Sequence, residues 1–131
     1  MITKLSIKGY KSIDNQKVDL KSIYFLIGGY GIGNSNFISV FDLMRSLYEK
    51  ELQSYVLRKG GANVLLHMGR KQTEQISIDL NFQRGDYHNR YIVELQEAQD
   101  SFIIKTASTA FLYNDVWRFQ LSDKVINEAT I

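Results

Sequence analysis

The residues with the most specific chemical pattern are closely spaced glycines followed by a serine. The stretch from Gly28 to Ser35 reads GGYGIGNS. It matches the phosphate-binding pattern G-x-x-x-x-G-K-[ST] at both pattern glycines and at the final serine. Such glycines let backbone N–H groups converge on an anion, and the first turn of a following helix attracts the same anion. The stretch therefore predicts a phosphate-binding loop. The alternative is a glycine-rich connection between a core strand and a core helix that holds no ligand.

The lysine that normally completes this pattern is absent. Asn34 stands at its position, so the loop lacks the charge that bridges the β- and γ-phosphates. A charge-assisted hydrogen bond is worth roughly 1.5–3 kcal/mol, so we expect nucleotide binding to be roughly 10- to 100-fold weaker than with lysine. ATP and Mg²⁺ are not expected to be required, and Ser35 is the expected Mg²⁺ ligand if a nucleotide binds. The predicted nucleotide-binding residues are Gly28, Gly31, Gly33, Asn34, Ser35 and Asn36.

A buried strand before the loop and a helix after it must position this site. The run Ile23–Ile27 is continuously apolar, which is typical of a strand buried on both faces of a parallel sheet. Apolar residues then recur at three- and four-residue spacing over Phe37–Tyr48, which predicts one face of a helix. The pattern extends to Val56, and the cations and glycines of residues 58–61 favour a helix end there.

The remaining segments alternate between polar and apolar residues, which predicts half-buried strands. Two short strands are expected around Leu5 and Val18, and Gln99-Asp100 and Asn114-Asp115 are expected to be turns. The predicted fold class is α/β (α+β), with a P-loop strand–helix unit in a mixed sheet and an antiparallel β-subdomain. We expect a single domain over 1–131. It comprises the P-loop unit (1–61), the β-subdomain (62–121) and a tail (122–131).

The N-terminal part resembles the start of RecF/SMC/ABC-type P-loop ATPases, in particular small bacterial ATPases of the AAA or overcoming-lysogenization-like kind. The similarity lies in a first strand followed by an aromatic residue, lysine and serine, here Tyr10-Lys11-Ser12, and in an apolar strand entering the glycine loop. It is specific over residues 1–48 and vague beyond them. The resemblance implies a nucleotide-binding ancestry and settings such as DNA repair or phage defence.

Several departures from that family argue against turnover. Tyr30 and Ile32 stand where the family usually has asparagine and serine, and Asn34 replaces the lysine. No apolar run ends in Asp-Glu or Asp-Asp, so the acidic pair that the family uses to hold Mg²⁺ and polarise water is missing. Because electrostatic stabilisation of the transferred phosphoryl group supplies most of the rate, we expect no hydrolysis from this chain alone.

Three functions follow as hypotheses. The first is a truncated, catalytically dead relative of these ATPases that acts as an interaction or regulatory module, with itself or a full-length related ATPase as partner. The second is the N-terminal nucleotide-binding fragment of a longer RecF/SMC-like ATPase. The third is a sensor that binds ATP without hydrolysing it.

Composition excludes several other classes of protein and site. The chain has no cysteine, and hence no disulfide, no Cys-based metal site and no thiol nucleophile. No stretch is long and apolar enough to span a membrane, and the first residues lack the features of a signal peptide, so a cytoplasmic location is expected.

The isolated candidates outside the loop favour structural roles. The net charge is only +2, so the weak basic cluster Lys4-Lys8-Lys11 favours a solvated face over nucleic-acid contact. His67 is interpreted as a structural histidine near a strand end, and no residue spacing predicts a zinc site. The aromatic cluster around Trp117 is interpreted as core or interface rather than a platform for stacking bases.

Overall fold

Six strands form one antiparallel sheet, and helices cover one of its faces. The computed structural model describes residues 2–19, 34–113 and 116–122. The strand order is β2-β1-β3-β4-β5-β6, and each neighbouring pair is antiparallel. The elements, in chain order, are β1 (Ile2–Tyr10), β2 (Ile13–Asp19), α1 (Asn34–Tyr48), α2 (Leu52–Lys59), α3 (Ala62–Leu65), β3 (Gln75–Arg84), β4 (Tyr87–Ala98), β5 (Ser101–Tyr113) and β6 (Val116–Ser122).

The predicted α/β fold with a mixed sheet was wrong. No parallel pair occurs among the described residues, and β1 is flanked on both sides by antiparallel partners. The prediction relied on the apolar run of residues 23–27, which lies outside the described residues. In the described strands apolar residues alternate, as in β1, where Leu5 and Ile7 are fully buried and Lys4 and Lys8 are exposed. Alternation of this kind is what an antiparallel sheet with one covered face requires.

Most predictions of individual strands and helices are confirmed. The strands expected around Leu5 and Val18 and the alternating segments after residue 75 are confirmed, as is the helix over Phe37–Tyr48. Its predicted extension to Val56 instead forms a second helix, because Lys50 adopts a left-handed conformation with φ 60° and ends α1. Residues 62–65, predicted as β-structure, form α3.

The core lies between the covered face of the sheet and the helices. α1 supplies one fully buried stripe at Val40, Leu43 and Leu47, the three- and four-residue spacing of a helix face packed on a sheet. The sheet supplies the opposing side chains, including Leu5, Ile7, Ile76, Ile78, Val93, Leu95, Phe102 and Ile104. None of the helices in the described ranges is long and apolar enough to cross a membrane.

One tight turn is described in the C-terminal half of the sheet. Gln99 and Asp100, the predicted turn, both have positive φ, 54° and 58°, and join β4 to β5 as a two-residue hairpin. The Asp100 carboxylate also accepts a hydrogen bond from the backbone N–H of Asn63 at 2.8 Å, in the first turn of α3. The β5–β6 pairing reaches Tyr113 and Val116, so strands flank the predicted turn at residues 114–115, which itself lies outside the described residues.

Candidate functional site

The predicted nucleotide-binding residues fall at a boundary of the described chain. Asn34 and Ser35 begin α1, but their side chains lie outside the description, and Asn36 follows within the first turn. A helix therefore begins directly after the last glycine of the pattern. The other three predicted residues lie outside the described residues: Gly28, Gly31 and Gly33.

Asn36 fastens the start of α1 to the turn between β1 and β2. Its side-chain amide donates to the hydroxyl of Ser12 at 2.6 Å. Ser12 follows Lys11 in that turn, so the aromatic-lysine-serine segment lies at the N-terminal turn of α1. The sequence placed these two segments 24 positions apart, and only the fold brings them together.

Lys11 lies against the side of α1, near its start. Its ammonium donates to the hydroxyl of Ser39 at 3.3 Å and lies 5.3 Å from the centroid of the Tyr10 ring. Ser39 donates its own proton to the carbonyl of Asn36 at 2.9 Å, so the Tyr10 hydroxyl, 2.8 Å away, is the donor in its bond to Ser39. Burial lowers the pKa of Lys11, and the positive charge of Lys59 lowers it further.

The backbone of the β1–β2 turn is also held by the last residue of α3 and by the segment that follows it. The N–H of Lys11 donates to the carbonyl of Leu65 at 2.8 Å. The Nδ1–H of His67 donates to the carbonyl of Lys11 at 2.7 Å, and the backbone N–H of His67 donates to Gly9 at 2.9 Å. His67 therefore has the structural role expected for it, and it fixes the backbone from which the Lys11 side chain extends.

A cavity of about 490 Å³ opens between α1 and α2. Asp42 and Glu49 of α1 and Arg58 and Lys59 of α2 line it, so both signs of charge face the same space. Tyr55 also lines it and is only 5% exposed. The Tyr55 hydroxyl is buried and lies close enough to the Tyr10 hydroxyl for a hydrogen bond between them to affect the pKa values of both tyrosines.

An apolar groove of about 580 Å³ lies on the other side of α1, over the far ends of β3, β4 and β5. α1 contributes Phe41, Met44 and Tyr48, a stripe beside its buried one, and the strands contribute Phe82 and Phe111 among others. Tyr48 is 68% exposed and Phe111 45%. Large aromatic side chains exposed together mark a surface suited to association.

Within the described ranges, no three side chains of the metal-binding types lie close enough to hold a metal ion together. The basic cluster predicted from sequence is divided: Lys4 and Lys8 lie exposed on β1, whereas Lys11 lies in the turn. Sequence reasoning passed over Lys11 and Ser39 as site residues. The sequence feature that could have identified Lys11 is its position directly after β1, in the Tyr10-Lys11-Ser12 segment that resembles the P-loop ATPase family.

Comparison with known proteins gives no match: no protein-family model matches the chain, and no curated protein matches it at a significant level.

Proposed function

We propose that this chain is a non-hydrolysing binding module that holds the phosphates of a nucleotide at the start of α1 and acts by association. One observation carries the nucleotide half of the proposal. The Lys11 ammonium donates to the Ser39 hydroxyl beside the first turns of α1, so a cation lies against the helix that begins at Asn34, the residue that replaces the usual lysine. The helix N-terminus adds N–H donors and a positive dipole end.

The surroundings of Lys11 suit a phosphate. Lys11 and Lys59 lie close enough for the charge of one to lower the pKa of the other, and an anion between or beside them removes that repulsion. The hydrogen bond from the Tyr10 hydroxyl orients the Ser39 hydroxyl, which accepts the hydrogen bond from the Lys11 ammonium. A nucleotide, if bound, would supply the phosphate charge, and Ser35 is the residue proposed to hold its Mg²⁺.

The test is titration of the chain with ATP·Mg²⁺ and with ADP by calorimetry, for the natural chain, Lys11→Gln and Lys8→Gln. Loss of one charged hydrogen bond at the phosphates predicts about 10-fold weaker binding for Lys11→Gln. Lys8 lies on β1, three residues earlier, and is exposed, so Lys8→Gln should bind as the natural chain does. If both substitutions weaken nucleotide binding equally, the effect comes from net charge alone, and the assignment of Lys11 to the phosphates is refuted.

Hydrolysis is measured in the same samples as phosphate release. We expect none above the buffer rate, because no acidic pair is present in the sequence to polarise water. Phosphate release by the natural chain that is lost in Lys11→Gln would show that the chain hydrolyses ATP, and it would overturn the non-hydrolysing half of the proposal.

The association half of the proposal rests on the apolar groove, and we assign a second copy of this chain as its occupant. An isologous contact would cover the same exposed aromatic residues on both copies at once. Light scattering of Tyr48→Glu tests this, with Leu57→Glu as the control, because Leu57 is 80% exposed on α2 and does not line the groove. A natural chain that stays monomeric at high concentration, or a dimer disrupted equally by both variants, would refute it.

A further inference from the structure

We infer that the outer surface of α2, α3 and the turn after α3 binds to the surface of a membrane that contains anionic lipids. Leu57, Val64 and Met68 enter the edge of the acyl layer, and Arg58 and Lys71 lie at the level of the headgroups; we call these five residues the basic apolar patch. Binding of this kind needs no membrane-spanning helix. The inference does not depend on the nucleotide or association proposals, because no residue of the patch lines the apolar groove or belongs to the proposed nucleotide site.

The patch has aliphatic side chains where the outer side of a helix usually carries polar ones. Leu57 is 80% exposed and Met68 75%, more than any other large apolar side chain in the described chain, and Val64 is 55% exposed. Both helices bury other apolar residues in the core, so these three side chains are not used for packing. Apolar side chains exposed close together mark a surface that binds a partner.

The three apolar side chains lie on one tightly folded stretch of the chain. The N–H of Gly60 donates to the carbonyl of Leu57 at 3.2 Å, and a β-carbon on Gly60 would lie 3.3 Å from a methyl carbon of Val64. Met68 lines a cavity of about 400 Å³ together with Asn63, the residue before Val64. The end of α2, the outer side of α3 and the turn after it therefore form one surface.

Hydrogen bonds fix the backbone of this surface and occupy two carboxylates beside it. The Asp100 carboxylate accepts from the backbone N–H of Asn63, and the Asn63 side chain accepts from the N–H of Arg70, both at 2.8 Å. The Glu97 carboxylate lies 3.6 Å from the Arg70 guanidinium. The exposed side chains are therefore presented by an ordered backbone, which lowers the entropy cost of binding.

The charged residues of this stretch are all basic. Residues 52–73 include Arg58, Lys59, Arg70 and Lys71 and no aspartate or glutamate. These four cations give the stretch a charge of +4, and since the whole chain has a net charge of +2, the remaining residues carry −2. Arg58 and Lys71 form no ion pair with another described residue. This asymmetry turns the patch toward an anionic surface and the rest of the chain away from it.

The shape of the patch favours a bilayer over an acidic peptide or a nucleic acid. Peptides commonly bind in grooves or at sheet edges, whereas Leu57 and Met68 project from the surface and neither lines the apolar groove. Single-stranded nucleic acids are commonly bound by stacking on aromatic residues, and the patch has none. A bilayer accepts projecting aliphatic side chains beside cations, because its anionic headgroups lie over its acyl chains.

The experiment is co-sedimentation of the full chain with vesicles of phosphatidylcholine alone and with vesicles of phosphatidylserine and phosphatidylcholine in equal parts. We expect at least about 10-fold tighter binding to the mixed vesicles, because each lysine or arginine near an anionic surface contributes about 5-fold. Molar salt should remove most of this difference. Equal binding to both kinds of vesicle, or binding to neither, would overturn the inference.

Two single substitutions test the apolar half of the patch. Leu57→Gln and Met68→Gln change highly exposed side chains, so both variants should fold. Each should bind the mixed vesicles about 10-fold more weakly, because one inserted side chain is lost. Ile38→Gln is the matched control, since Ile38 is an aliphatic residue of α1, 43% exposed and outside the patch. A loss in Ile38→Gln as large as that in Leu57→Gln would overturn the placement.

A double substitution tests the charged half. Arg58→Gln with Lys71→Gln should weaken binding to the mixed vesicles about 25-fold, which is about 5-fold for each cation. Lys4→Gln with Lys17→Gln is the control, because it changes the net charge equally at exposed residues of β1 and β2, and it should leave binding nearly unchanged. Equal weakening by the two double variants would show an effect of net charge alone and contradict the assignment of the patch.

The same variants are titrated with single-stranded DNA and with a glutamate-rich peptide. We expect weaker binding to both than to the mixed vesicles. Tighter binding to either one, lost in the double variant of Arg58 and Lys71 but kept in Leu57→Gln, would identify the patch as a surface for that polyanion and overturn the assignment to a membrane.

Discussion

Gly9 controls how closely β1 approaches β3 just before the turn that carries Lys11, and its replacement by alanine gives the sharpest test of this geometry. Gly9 has φ +76°, a conformation that costs a residue with a side chain about 1–2 kcal/mol. A β-carbon there would also overlap the backbone carbonyl of Gln75 and lie 3.0 Å from the Thr73 methyl. A backbone carbonyl cannot rotate away as a side chain can, so the strands must separate.

The expected loss is the sum of these two effects. Overlap with a packed neighbour costs about 1–3 kcal/mol, which together with the backbone cost gives a loss of about 2–5 kcal/mol in the free energy of unfolding. Gly85→Ala is the matched control, because Gly85 also has positive φ, +60°, but an added β-carbon meets no atom of the described chain within 4 Å. Its expected loss is therefore the backbone part alone, about 1–2 kcal/mol.

The assay is urea unfolding of both variants and the natural chain, followed by far-ultraviolet circular dichroism, with equal slopes required before free energies are compared. Gly9→Ala should be the less stable variant by at least about 1 kcal/mol. The His67 N–H that donates to the Gly9 carbonyl should also exchange faster with solvent. Equal stability of the two variants would refute the close approach of β1 and β3.

Three further predictions follow from buried or strained groups. Burial raises the pKa of Tyr91 to about 12, so the folded chain keeps this proton while the unfolded chain loses it above pH 10, and the natural chain loses stability as the pH rises. Tyr91→Phe should be at least as stable as the natural chain at neutral pH. Urea unfolding between pH 10 and 12 should show that the variant loses less stability than the natural chain, by about 1.4 kcal/mol per pH unit at most. Gln99→Gly should raise the melting temperature, because Gln99 has φ 54° and glycine relieves about 1 kcal/mol of backbone strain; a lower melting temperature would contradict the hairpin geometry. The Arg90 guanidinium donates to the Asp79 carboxylate through two nitrogens, one of them at 2.9 Å. A double-mutant cycle with Arg90→Met and Asp79→Asn should give a coupling free energy of about 1 kcal/mol. Zero coupling would exclude the paired geometry.

The sequence by itself determined the local elements. Alternation fixed the described strands around Leu5 and after residue 75, and three- and four-residue spacing fixed α1, because these periods follow from which side of one element is buried. The turn at Gln99-Asp100 was also accessible, since it depends only on residues between two strands that are adjacent in sequence. The glycine pattern remains a prediction for a loop that lies outside the described residues.

Only the tertiary structure decided how these elements combine. Sheet order depends on which strands pair across long separations, and a continuous apolar run near residue 25 could not show that β1 would be enclosed by β2 and β3. The same holds for the sites. Lys11 meets Ser39 across 28 positions, and the charged cavity is lined by side chains of two separate helices, α1 and α2. A site formed by residues from distant segments depends on how the elements pack together, and a periodic pattern along the sequence does not encode that packing.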